Sequence, residues 1–166
     1  MIQDISQITG YKRKIIESII CDQKIVDLIN EKPNSEIPDT SLYDTNIFDY
    51  AFVPGANDKA LNYVTVDGQI DNTSKGDTIN RYLLCIKIII HQNNMKISED
   101  SDKSHIHGNR LDELVEKITA LLNTKLLGIG SNYLTDISIS YPIDNKYVFK
   151  TITYDIRDFN KCRFDE

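Results

Sequence analysis

Hydrophobic positions along the chain change their period twice, and each change predicts a new element. In ITGYKRKIIESIICDQKIVDLIN, the residues Ile15, Ile16, Ile19 and Ile20, then Ile25, Leu28 and Ile29, fall at helical spacing with a drift near Cys21 and Asp22. This predicts one helix from about Gly10 to Cys21 and a shorter one from Asp22 to Asn30. Pro33 and Pro38 end the helical region, because proline lacks a backbone donor and restricts the residue before it. From Asn46 the period becomes two. NIFDYAFV alternates Phe48, Tyr50 and Phe52 against Ile47, Asp49, Ala51 and Val53, the pattern of a strand, and LNYVTVDGQI resumes after Pro54, Gly55 and Asn57 as a second. The polar run DGQIDNTSKGDTIN is expected to be an exposed loop or extended hairpin tip.

RYLLCIKIIIHQ carries the longest strand signal. Tyr82, Leu84, Ile86, Ile88 and Ile90 form a wholly apolar face, while Arg81, Leu83, Cys85, Lys87, Ile89 and His91 form a mixed one. One dry face and one mixed face predict a central strand covered by helices on one side only. The period returns to helical at Leu111, Leu114, Val115, Ile118, Leu121 and Leu122, with Asn109 as a cap and Asp112 and Glu113 in the first turn, where the helix dipole favours negative charge. Glu113 and Lys117 are spaced to pair. Gly128 and Gly130 turn the chain into a final hairpin. Its first strand runs through Tyr133, Thr135, Ile137, Ile139 and Tyr141, and its second places Val148, Ile152, Tyr154 and Ile156 together.

The order predicts an α+β fold: an antiparallel or mixed sheet of about five strands, with an N-terminal helix and one long helix packed on one face. The 166 residues are one domain's worth, with a helical segment over 1–32, the sheet and long helix over 46–158, and a charged tail over 159–166.

Composition narrows the function more than it fixes it. At 40% hydrophobic and 27% charged the chain reads as an ordinary globular protein, and its net charge of −6 argues against a dedicated nucleic-acid binder. Cys21, Cys85 and Cys162 are too scattered for a disulfide framework or a metal knuckle and are expected as reduced thiols, Cys85 as a small core residue. The opening MIQDISQITG lacks the basic start and apolar run of a signal peptide, so a cytoplasmic protein or a particle assembled in cytoplasm is expected, with no membrane partner.

Candidate chemistry is sparse. His105 and His107 would point the same way in an extended segment, but a metal site needs further ligands, and neither His91 nor Asp102 has a spacing that supplies them. Asp112, Glu113 and Glu116 read as the solvated side of a helix. The glycines of LGIGSN lie between helix and strand, where phosphate loops do not. No nucleophile or metallohydrolase motif is present, and neither a metal nor another cofactor is expected. The nine tyrosines suit an interaction surface, with Tyr82 and Tyr154 expected in the core.

RYLLCIKIIIHQNN, then GNRLDELVEKITALLN, GIGSNYLTDISI and YVFKTITYDIRDF, resembles in order of elements the small neck proteins of tailed bacteriophages, in particular the tail terminator or tail-completion group. The resemblance covers roughly residues 46–158. It implies a non-enzymatic virion protein, assembled in the host cytoplasm, whose copies form a ring of typically six subunits. Such a ring caps the tail tube, meets the tube protein and the head-closure or connector proteins, and passes DNA only in transit. The candidate interface is the mixed strand face, Arg81, Leu83, Lys87, Ile89 and His91, together with the loop residues Asp67, Asp71, Lys75 and Asp77. The rival expectations are a head-closure stopper, a small metalloenzyme using His91, His105 and His107, and a cellular adaptor domain.

Overall fold

Two antiparallel ladders on either side of one strand organise the molecule. In the computed structural model, which describes residues 2–30, 37–55, 61–71, 79–97, 108–124, 131–143 and 146–159, the strand β3 (Ile79–His91) pairs with β2 (Asn62–Asp71) on one side and β5 (Tyr147–Phe159) on the other. A third antiparallel ladder joins β5 to β4 (Ser131–Ile143), and β1 (Ile47–Phe48) joins β2 in parallel at Val64 and Thr65. The spatial order is β1-β2-β3-β5-β4, a mixed five-stranded sheet. With the helices α1 (Ile2–Ile20), α2 (Gln23–Ile29) and α3 (Arg110–Thr124) the fold is α+β, as the periodicity predicts.

The helical layer stands over β2, β3 and β5. It meets the apolar face of β3, where Tyr82, Leu84, Ile86, Ile88 and Ile90 are each 0% exposed, and Ile152, Tyr154 and Ile156 of β5 continue that face. From the helices, Ile16, Ile19, Ile25, Leu114 and Ile118 complete a single hydrophobic cluster.

Helix ends are closed by named side chains. Asp22 caps α2, accepting from the backbone N–H groups of Lys24 and Ile25. Asn109 Oδ1 accepts from the Asp112 N–H at 2.9 Å while its amide donates back to the Asp112 carboxylate at 2.7 Å, a reciprocal cap at the start of α3. At the other end of α2 the last-turn carbonyls are taken up from a distance. Arg110 Nη1 donates to Leu28 O at 3.0 Å and Asn62 Nδ2 to Ile29 O at 3.1 Å. Asn62 also accepts from Asn94 and Asn46, at its side-chain and main-chain oxygens respectively. Arg110 is 4% exposed, so its cation lies buried at the negative end of a helix dipole.

Four sequence expectations are corrected. The first helix begins at Ile2 rather than near Gly10, because its first half also has a contact to make: Ile8 is buried against the sheet. That contact falls at Gly68, where an added Cβ would lie 2.6 Å from Leu84 Cδ2 and 2.8 Å from Ile8 Cδ1, so only glycine lets α1 approach so closely. NIFDYAFV pairs over two residues only, since Phe52 folds back to stack on Phe48 with ring centroids 4.1 Å apart. Cys85 is half-buried on the face away from the helices rather than in the core. Glu113 is buried, with Lys117 Nζ 3.8 Å away, rather than on a wet face like Asp112 and Glu116.

Candidate functional site

Strand register turns the mixed face of β3 into a set of rows running across the sheet, because directly opposed residues share a face. At one end Asp71, Arg81, Arg157 and Ser131 form a row, followed by Gln69, Leu83, Asp155 and Tyr133. Asp67, Cys85, Thr153 and Asp136 come next, and then Thr65, Lys87, Thr151 and Ser138. Beyond them lie Tyr63, Ile89 and Phe149, and finally His91 opposite Tyr147. The sequence candidates Arg81, Leu83, Lys87, Ile89, His91 and Asp67 are therefore brought to one face of the sheet, opposite the helical layer, and Asp71 pairs with Arg81 in the β2–β3 ladder. Lys75 and Asp77 lie outside the described residues, as do His105 and His107.

The two ends of this surface differ. At the aromatic end, Phe48, Tyr63, Ile89 and Tyr147 are buried together, with Phe52 and Phe149 packed against them. Ile89 is 0% exposed, so its side chain is part of the fold and is withdrawn from the candidate interface. His91 is structural as well: its Nδ1 accepts from the Asn93 N–H at 3.2 Å, capping a single turn of 3-10 helix, and its ring meets the edge of Tyr147. Lys87 lays its ammonium 4.9 Å from the centre of the Phe149 ring, a cation–π contact.

At the charged end, Arg81 and Arg157 stand directly opposite each other, and their repulsion is resolved by Asp155. The buried carboxylate accepts from Arg81 Nε at 3.0 Å and Arg157 Nη2 at 3.4 Å through the same oxygen. Burial pushes the Asp155 pKa up, but the bond and charge of Arg81, and then those of Arg157, outweigh it and hold the group below its ordinary value. Between the ends Leu83, Cys85, Thr151 and Thr153 are half-buried. Between Arg81 and Lys87 there is thus a half-buried patch of short polar and apolar groups, able to exchange hydrogen bonds and bury modest apolar area against another surface.

Sequence reasoning missed the β5 contribution, although the alternation of Thr151, Thr153, Asp155 and Arg157 against the core residues was there to be read. It also gave no sign of a groove of about 690 Å³ lined by Arg13, Glu17, Ile20, Cys21, Pro38, Thr40 and Tyr43. Burial, and then the carboxylates of Asp49 and Asp44, push the Tyr43 hydroxyl up from its ordinary pKa. Among the described residues no three His, Cys, Asp or Glu side chains come together to hold a metal ion, and no helix is long and apolar enough to cross a membrane.

No curated protein matches this sequence. The YomW family model matches residues 22–156, from the residue that caps α2 to the buried Ile156 of β5. Since that match spans most of the sequence, the chain belongs to the YomW family, a phage-derived family of proteins.

Proposed function

We propose that this chain is a structural subunit of a phage neck, a tail terminator whose copies form a ring that caps the tail tube and joins it to the head. Membership of a phage-derived family supports the setting. The observation that carries the role is the one-sided architecture: helices cover one face of the sheet, while the opposite face offers the half-buried Leu83, Cys85, Thr151 and Thr153 to a neighbour. A ring subunit needs two different contact patches, since each copy meets one neighbour on each side. The order of elements, a long apolar strand followed by a helix and a closing hairpin, supports the terminator reading further.

Electron microscopy of particles assembled without the protein tests this. Tails of uncontrolled length beside filled, unattached heads are expected. Tails of normal length beside leaking or empty heads would move the protein to the head-closure position, and unaltered particles would refute a neck role.

A further inference from the structure

Among the described residues the sheet has an open edge at each end. On one side β4 is the outermost strand. Its ladder with β5 is interrupted between Leu134 and Asp136 and again between Ser140 and Ile143, which leaves a regular stretch of five residues, Asp136–Ser140. On the other side β1 covers β2 only at Val64 and Thr65, so among the described residues the six from Val66 to Asp71 have a strand partner on the β3 side alone. Unpaired strand edges are templates for pairing with another chain.

These edges are complementary in direction. Because β2, β3, β5 and β4 alternate antiparallel, β4 runs opposite to β2. A second copy placed beside the first continues the alternation, and the regular stretch of one edge is close in length to the open run of the other.

Side-chain exposure singles out the β4 edge. Among the described residues the exposed large hydrophobics are Ile37, Tyr43, Tyr50, Val53 and Leu61, in the segments around β1, and Ile137, at the middle of the β4 stretch. Ile137 opposes Ile152 and so belongs to the helix-bearing face, yet it is 42% exposed because the helical layer stands over β2, β3 and β5. A neighbouring copy's α1, which lies over that copy's β2, supplies the missing cover.

We infer that copies of this chain join head to tail, the free edge of β4 in one copy pairing antiparallel with the Val66–Asp71 edge of β2 in the next. The joint is heterologous, so every open string keeps one free edge at each end and growth stops only when the string closes. It deepens the ring reading proposed above and rests on it for its biological setting.

Light scattering on the purified full chain, compared with Ile137→Lys, is the first test. The wild type is expected as a closed oligomer and the variant as a monomer that still melts cooperatively, since Ile137 is exposed in the single chain. A wild type that stays monomeric at its highest soluble concentration, or a variant that assembles as before, would overturn the joint. Bismaleimide cross-linking then fixes the orientation, with Gln69→Cys and Ser138→Cys made in separate proteins and read against the parent's native thiols. Dimers from the mixture, and from neither variant alone, are expected; self-linking of Ser138→Cys alone would show two β4 edges meeting and overturn the head-to-tail arrangement. The two readings fail separately. An assembled oligomer with normal particles in its absence removes the neck role and leaves the joint, and overlong tails in particles lacking a chain that is monomeric when purified do the reverse.

Discussion

The two faces of the sheet are built from the same strands by opposite means. On the helix-bearing face, β3 offers five fully buried side chains in succession, and three helices seal them. On the other face the same strand grades from a buried aromatic cluster at Ile89, through half-buried Leu83 and Cys85, to two arginines sharing one carboxylate. Uniform burial along β3 makes the first face the source of stability. Graded burial makes the second stable at one end and available at the other, so position along the strand, and not merely which face a residue occupies, decides what it can do.

The comparison breaks most sharply at Ile89 and Leu83, two residues of the same face. Ile89→Asp is expected to cost on the order of 4–5 kcal/mol or more, because a carboxylate is forced into the aromatic cluster, and to give little folded protein. Leu83→Asp, half-exposed at the start, is expected to remain folded at a cost of about 1–2 kcal/mol. Urea unfolding of both variants measures the difference, and equal losses would show that the face is buried along its whole length.

Next in size is Arg110→Met. It leaves Leu28 O without its charged donor within the brace at the end of α2, and about 2–3 kcal/mol is expected by the same measurement. Gly68→Ala probes how little room the helix-bearing face has. The new methyl meets Leu84 and Ile8 at distances that require movement, and roughly 1–3 kcal/mol of destabilisation is expected in thermal or chemical denaturation.

The smallest effect belongs to Asp155→Asn at the charged end, roughly 1 kcal/mol at neutral pH after allowing for the solvent that screens both arginines. Its pH dependence is the sharper observation. The folded-state pKa of Asp155 lies below the ordinary 3.8, so the carboxylate's contribution is complete above that value and is lost as pH falls through the lowered one. The stability gap between wild type and variant is therefore expected to be flat near neutrality and to close in strong acid. A gap that widened with acid would mean that the arginines do not govern this group.

Much of the helix-bearing face was legible in the sequence because its information is local. Alternation at Tyr82 to Ile90 and the helical stripe from Leu111 to Leu122 each name their own buried side, and Asn109 announces its helix. The opposite face was less legible because its cover comes from elsewhere. Ile89 is enclosed by Phe48, Tyr63 and Tyr147, which come from three other strands, and no pattern within β3 reveals them. The pairing of β1 with β2 is parallel and short, so the alternation of NIFDYAFV, which marks aromatic packing as well as a strand, overstated it. Arg110 and Asn62 look like surface residues in one dimension. Only their convergence on the carbonyls of Leu28 and Ile29 makes them internal.

The place of β5 in the sheet sets an order on synthesis. It lies between β3 and β4, opposing Ile79 with Phe159 and His91 with Tyr147. A ribosome-bound chain that has already released β2, β3 and α3 can close the β2–β3 hairpin, but β3 keeps one edge bare until the last described strand emerges. Through that interval the most apolar strand of the protein can pair with a like strand on another nascent chain. Slow elongation between Arg110 and Tyr147 is therefore expected to raise the insoluble fraction, and a chain stopped short of β5 to be insoluble in place of merely inactive.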